Sequence, residues 1–82
     1  MNQRVSILID NGETHKFIDA HFVKRIGIPT DTFDGFSILV PGDRTMQCMQ
    51  YVPSLFVTMG TYTLEDHFFV VDIPDTNIIL GV

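Results

Sequence analysis

A carboxylate and a glycine follow the most strand-like segment near the start of the chain. Asp10, Asn11 and Gly12 come directly after residues 5–9 (VSILI), whose apolar and β-branched side chains predict a mostly buried strand. The sharp turn expected there places the Asp10 carboxylate at the end of the strand, a position suited to acid–base chemistry. Taken alone, an Asx-Gly pair after a strand is interpreted as ordinary turn chemistry rather than as a catalytic site.

The other residue types that commonly do chemistry are scattered. The three histidines lie far apart, and no His or Cys spacing predicts a metal site. His15 is expected to be solvated or locally hydrogen-bonded, and Cys48 to be a small buried apolar group. Asp72 and Asp75 flank a proline turn and are interpreted as solvated loop residues. No glycine-rich phosphate loop is present, so no cofactor is expected.

Composition narrows the class of protein further. Eighty-two residues predict one domain, residues 1–82. Ten acidic against five basic residues give a net charge of −5, which argues against direct binding to nucleic acid or to an acidic membrane surface. The longest apolar run, residues 68–71, is far too short to span a bilayer. A single cysteine and a start that lacks signal-peptide character predict an intracellular, reducing location, the cytoplasm.

Strands are expected to position Asp10. Residues 17–26 change period, since Ile18, Phe22 and Ile26 recur at every fourth position, and this predicts a short amphipathic helix that Gly27 ends. Residues 30–35 are expected to form a polar connector and Pro53 to break a strand. The remaining predicted elements are a hairpin of residues 36–40 and 45–52, a second hairpin of residues 55–59 and 62–71, a turn at residues 74–76, and a last strand of residues 77–82.

Two segments of this pattern resemble motifs of a known family. Residues 9–18 (IDNGETHKFI) resemble I-D-S-G-S-T-H-N-F-I, and residues 78–82 (IILGV) resemble V-V-L-G-V. Both are motifs of the retropepsin-like aspartic proteases, and the resemblance is greatest to the protease segment of plant Ty3/gypsy-type LTR retrotransposon polyproteins. It implies a mostly β, retropepsin-like half-barrel with one short helix. Because relatives continue into a further helix and strand, this chain is expected to lack that C-terminal part.

The resemblance implies that Asp10 is catalytic. Peptide hydrolysis by this route needs two carboxylates that share one proton, one to activate a water and one to donate to the scissile carbonyl. The sequence offers one Asp-X-Gly of this kind, so the resemblance implies a homodimer with one Asp10 from each subunit. It predicts an aspartic endopeptidase of a retroelement polyprotein that acts on an extended peptide.

Further roles follow from the same resemblance. The active-site loop would include Asn11, Gly12 and Thr14. A structural glycine motif would comprise Ile79, Leu80 and Gly81. The tip of a flap that closes over substrate would be formed by Pro41, Gly42, Asp43 and Arg44.

Two residues depart from the family pattern and keep an alternative open. Asn11 stands where Thr or Ser is usual, and Glu13 stands where small residues are common, which adds a carboxylate near the pair. The alternative is a catalytically inactive dimerisation or peptide-binding module with the same fold. A third interpretation is a β-rich interaction domain in which the Asp10 loop is only a turn.

Overall fold

One open six-stranded sheet forms the body of the molecule. The computed structural model describes residues 3–40 and 42–81. The strands lie in the order β1-β6-β2-β5-β4-β3, so β1 and β3 are the two edges. This confirms the predicted mostly β fold with one short helix. In chain order the elements are β1 (Ile7–Asp10), β2 (Lys16–Asp19), α1 (Ala20–Ile26), β3 (Asp31–Val40), β4 (Arg44–Met59), β5 (Tyr62–Val71) and β6 (Ile78–Gly81).

The strand pairing brings the two ends of the chain together. β1 and β6 run parallel, from Ile7 opposite Ile78 to Asp10 opposite Gly81. β6 is antiparallel to β2, and β2 is parallel to β5. The two segments that resemble the family motifs therefore lie side by side. Val82, which was expected to end the last strand, lies outside the described residues.

The core lies between the sheet and α1. Ile18, Val52 and Phe68 are almost completely buried there and pack with Phe22 of the helix. Cys48 is also buried, as predicted, and burial raises the pKa of its thiol although hydrogen bonds to the Gln50 and Val70 carbonyls act to lower it.

The predicted helix is half strand, which corrects the sequence-based boundary. Residues 17–19 belong to β2, where Phe17 and Ile18 are both buried because this central strand is covered on both faces. The helix starts only after Asp19. Gly27 ends it, as predicted, with φ 74° and its N–H bonded to the Val23 carbonyl. Within residues 3–40 and 42–81, no helix is both long and apolar enough to cross a membrane.

Two other predicted breaks are irregular strand instead. β3 starts at Asp31, so the expected polar connector pairs with β4 across a register shift between Thr32 and Phe36. β4 continues through Pro53, where the pairing with β5 shifts between Val52 and Leu55. Proline is tolerated at such a shift because it need not donate to the ladder. The second hairpin turns at Gly60 and Thr61 as predicted.

Candidate active site

Asp10 ends β1 and starts a tight loop. Its side chain is exposed, and its Oδ1 accepts the Gly12 N–H at 2.9 Å. The Asp10 carbonyl accepts the Glu13 N–H at 3.3 Å. The loop thus has the hydrogen bonding expected of an Asx-Gly turn, and it holds the exposed carboxylate at the end of β1.

A cleft of about 570 Å³ opens beside this loop, and we call it the Asp10 cleft. Three parts of the chain meet in it: the Asp10 loop, the β3–β4 hairpin and the segment after β5. Apolar side chains form most of the wall, and the carboxylates of Glu13 and Asp72 join that of Asp10. The lining residues are Leu8, Asp10, Glu13, Phe17, Ile38, Leu39, Arg44, Met46, residues 71–74, Thr76 and Ile79.

The hairpin expected to form a flap lines part of this cleft. Ile38, Leu39 and Met46 line it from the two strands of the hairpin. Arg44 also lines it, but as the first residue of β4, paired with Val40, and not as part of the turn. Gly42 and Asp43 form the exposed turn with φ of 89° and 56°. Pro41 lies outside the described residues.

The glycine motif divides between the cleft, the core and the Asp10 loop. Ile79 lines the cleft, and Leu80 is buried in the core. Gly81 lies under the loop, where its N–H donates to the His15 carbonyl at 3.0 Å. A Cβ at Gly81 would lie 2.5 Å from the carbonyl oxygens of Glu13 and His15, so only glycine fits there without a shift of the backbone.

Glu13 and His15 form hydrogen bonds within the Asp10 loop. The part that Glu13 takes in these bonds was not predicted from the sequence. Glu13 Oε1 accepts the backbone N–H groups of Thr14 and His15 at 2.9 and 3.0 Å and lies 3.1 Å from His15 Nδ1. Partial burial acts to raise the pKa of Glu13, but the hydrogen bonds from His15 and Thr14 prevail and lower it. The expectation that His15 is locally hydrogen-bonded is confirmed.

A model of the retroviral aspartyl proteases matches the chain over residues 1–82. The chain belongs to the retroviral aspartyl protease family. No curated protein and no solved structure gives a significant match. Membership supports an aspartic protease function in general and is consistent with the open, mostly β sheet.

Three further residues of the Asp10 loop, Asn11, Gly12 and Thr14, are exposed. Thr14 Oγ1 lies 3.2 Å from His15 Nδ1. A Cβ at Gly12 would meet only Asp10 Oδ1, at an ordinary contact distance of 3.5 Å. The fold of a single chain therefore leaves room for a side chain at Gly12, unlike at Gly81.

In this family member a buried aspartate, Asp19, holds the segment after β5 that forms one wall of the cleft. Asp19 caps α1 by accepting the Phe22 N–H at 3.0 Å, and its other oxygen accepts the Ile73 N–H at 2.8 Å. His21 and Asp72 lie nearby, and one ligand atom from each of the three residues falls within 4.8 Å of the others. Because both Asp19 oxygens already accept a backbone N–H, the group is interpreted as a structural tie between α1 and the segment after β5.

Proposed function

We propose that this chain is an aspartic endopeptidase of a retroelement polyprotein, active as a homodimer with one Asp10 from each subunit. The observation that carries the proposal is the exposed Asp10 carboxylate in a cleft that a β-hairpin helps to line, in a chain matched by the protease family over residues 1–82. Resemblance to the plant Ty3/gypsy proteases suggests the type of retroelement.

The chemistry requires a second carboxylate facing Asp10. Two carboxylates a few ångströms apart cannot both ionise without strong repulsion, so the pair holds one proton. The ionised group takes a proton from a water, and the protonated group donates to the carbonyl oxygen of the scissile bond. The water oxygen meanwhile bonds to the carbonyl carbon, which gives a tetrahedral diol. The first group then passes its proton to the amide nitrogen and the second takes one back from a diol hydroxyl, so that the C–N bond breaks, the amine leaves and both carboxyl groups regain their starting states.

Exposed apolar residues beside Asp10 support a partner subunit at this edge. β1 is an edge strand, and its Leu8 and Ile9 side chains are 51 % and 58 % exposed. Because successive side chains of a strand point to opposite faces, the two residues leave apolar surface exposed on both faces of this edge, and an edge strand also offers unpaired backbone N–H and C=O groups. A second copy placed here would bury them and bring its own Asp10 to the same site.

The cleft suits an extended peptide with apolar side chains. Leu39 and Met46 of the hairpin and Ile79 of β6 provide apolar walls around the carboxylate. An extended substrate can bind between them as an added strand, with main-chain hydrogen bonds for affinity and side-chain pockets for selectivity. The hairpin would open for entry and close over the bound peptide.

The proposal is tested by cleavage of an unstructured polypeptide such as denatured casein. Asp10→Asn should lower the rate by about 1,000-fold or more, because in a homodimer it replaces both carboxylates of the reacting pair. Asp72→Asn is the matched control, since Asp72 lines the same cleft. Equal activity of wild type and Asp10→Asn, or loss of activity only in Asp72→Asn, would contradict the assignment.

The second candidate is the inactive binding module, favoured by Asn11 and Glu13 in the loop. It predicts a chain that dimerises but cleaves nothing. Sedimentation equilibrium tests the dimer that both candidates require, and cleavage by an intact dimer then separates them. Lower pH should tighten that dimer, since protonation relieves repulsion between facing carboxylates. A monomer at every pH would remove the shared pair.

A further inference from the structure

We propose that Glu13 and His15 are positioning residues that hold the Asp10 carboxylate in place relative to both β6 and the hairpin over the cleft. The inference rests on the proposed function, in which Asp10 is catalytic. Neither residue needs to touch the substrate bond to act in this way. Glu13 also stands where the resemblance leads one to expect a small residue, so the pair is a particular feature of this chain.

The Glu13 side chain stabilises the loop that follows Asp10. One of its oxygens receives the two successive backbone N–H groups of Thr14 and His15 and the contact from His15 Nδ1. Its own N–H donates to the Asp10 carbonyl. The carboxylate therefore fixes the backbone on one side of Glu13, while Asp10 is held on the other. Its lowered pKa keeps it ionised at neutral pH, which strengthens each of these hydrogen bonds.

His15 connects this loop to two other parts of the sheet. Its carbonyl accepts the Gly81 N–H, which ties the loop to β6. Its ring lies 5.5 Å from the rings of both Phe36 and Phe69, and 6.1 Å from that of Phe17. Phe36 belongs to β3, the strand that also carries Ile38 and Leu39 of the cleft wall. The loop is thus linked both to β6, which lines the cleft through Ile79, and to the β3–β4 hairpin.

Loss of this connection should displace Asp10 without unfolding the core. The buried core residues lie between the sheet and α1, and Glu13 and His15 are outside that cluster, with side chains 30 % and 48 % exposed. A displacement of about 1 Å at a reacting group is enough to slow a reaction by about 100-fold. The pair is therefore expected to affect turnover more than substrate affinity.

A second acid–histidine pair provides a matched control. Asp66 Oδ1 accepts the His67 N–H at 2.7 Å and lies 3.0 Å from His67 Nδ1. The His67 ring lies 5.4 Å from Phe69, the same ring that His15 contacts. Asp66 also pairs with Lys16 at 3.0 Å, so it makes at least as many polar contacts as Glu13. Neither Asp66 nor His67 lines the cleft or belongs to the Asp10 loop.

The experiment compares kcat and KM for wild type, Glu13→Ala, Glu13→Gln and Asp66→Ala in the full chain. Glu13→Ala should lower kcat by about tenfold or more and leave KM within about twofold. Glu13→Gln keeps an acceptor oxygen and should recover most of the loss. Asp66→Ala should keep both constants near wild type. If Glu13→Ala does not fold, His15→Phe serves instead, because it can keep the ring contacts while it removes the Nδ1 contacts with Glu13 and Thr14.

A second measurement decides the inference even if the wild type cleaves nothing. Amide hydrogen exchange of Gly81 reports the bond to the His15 carbonyl, and Glu13→Ala should speed it by about fivefold or more relative to Asp66→Ala. Wild type without cleavage but with this change overturns the proposed function and supports the positioning role. Unchanged Gly81 exchange, unchanged kcat in Glu13→Ala, or an equal loss in Asp66→Ala overturns the positioning role.

Discussion

Asp10 and Gly81 lie directly opposite each other on the parallel strands β1 and β6. The loop that starts at Asp10 then folds back over Gly81, so that the carbonyl oxygens of Glu13 and His15 approach the glycine closely. The candidate catalytic residue and the glycine near the other end of the chain therefore form one structural unit. A change at either position should be felt at the other.

Gly81→Ala is expected to destabilise the protein and displace the Asp10 loop. Its Cβ would lie 2.5 Å from two backbone carbonyl oxygens, and relief of that overlap should cost about 1–3 kcal/mol. Urea unfolding measures the loss. Gly12→Ala is the control, because a Cβ there meets only an ordinary contact, and its stability should stay within about 1 kcal/mol of wild type. Equal stability of the two variants would contradict the close approach at Gly81.

Asp19→Ala is expected to be among the most destabilising single changes. It leaves the buried N–H groups of Phe22 and Ile73 without their acceptor, at a cost of about 2–4 kcal/mol. Asp19→Asn keeps one acceptor oxygen and should lose about half as much. His21→Ala, an 80 % exposed neighbour, should change stability little. Thermal or urea unfolding of the three variants checks the order, and a large effect of His21→Ala would contradict it.

Stability should fall in acid partly because of Asp66. The hydrogen bond from Lys16 lowers the pKa of Asp66 in the folded chain, helped by the His67 N–H. The contribution is therefore present above the ordinary carboxyl pKa of about 4 and is lost as the pH falls through the lowered folded value. Because Asp66 is partly exposed, it should amount to less than about 1 kcal/mol. Asp66→Asn should be less stable than wild type at pH 7 and equal to it in strong acid, as measured by urea unfolding; an equal deficit at both pH values would contradict this origin.

Asn11→Ser should raise cleavage several-fold if the chain is a working protease. Ser or Thr is usual in the family at this place, and the longer carboxamide of Asn11 extends farther beside Asp10. Since Asn11 is exposed within the single chain, the change should alter stability by less than about 0.5 kcal/mol. Initial rates on a polypeptide substrate, with dimer content measured in parallel, provide the test. If wild type and Asn11→Ser both form dimers and neither cleaves the substrate, the inactive module is favoured.

Local pattern was sufficient to predict most strands, the Gly60–Thr61 turn and the end of the helix at Gly27. It failed at Phe17 and Ile18, because the period-four pattern that starts at Ile18 does not reveal that β2 lies between β5 and β6 with both faces buried. Burial on both sides removes the alternation that identifies a strand from sequence. The prediction that Pro53 breaks a strand was wrong for a related reason, because a register shift in β4 accommodates the proline.

Only the parts of the candidate site that lie within one short motif could be predicted from the sequence. Asp10 and its loop were recognised from adjacent residues, whereas the place of Asp72 on the same cleft depends on the bond between Asp19 and Ile73. The Glu13 and His15 contacts depend on how the loop closes over Gly81. Such relations join residues from distant parts of the chain, and no spacing within one segment encodes them.

The pairing of β1 with β6 also has a consequence during synthesis. During translation Asp10 emerges from the ribosome early, whereas residues 78–81 emerge last among the strands of the sheet. Contacts between such distant segments form slowly. Until then the strand that carries Asp10 has no neighbour at this edge of the sheet. A nascent chain would therefore carry Asp10 on an unpaired strand until β6 has been made.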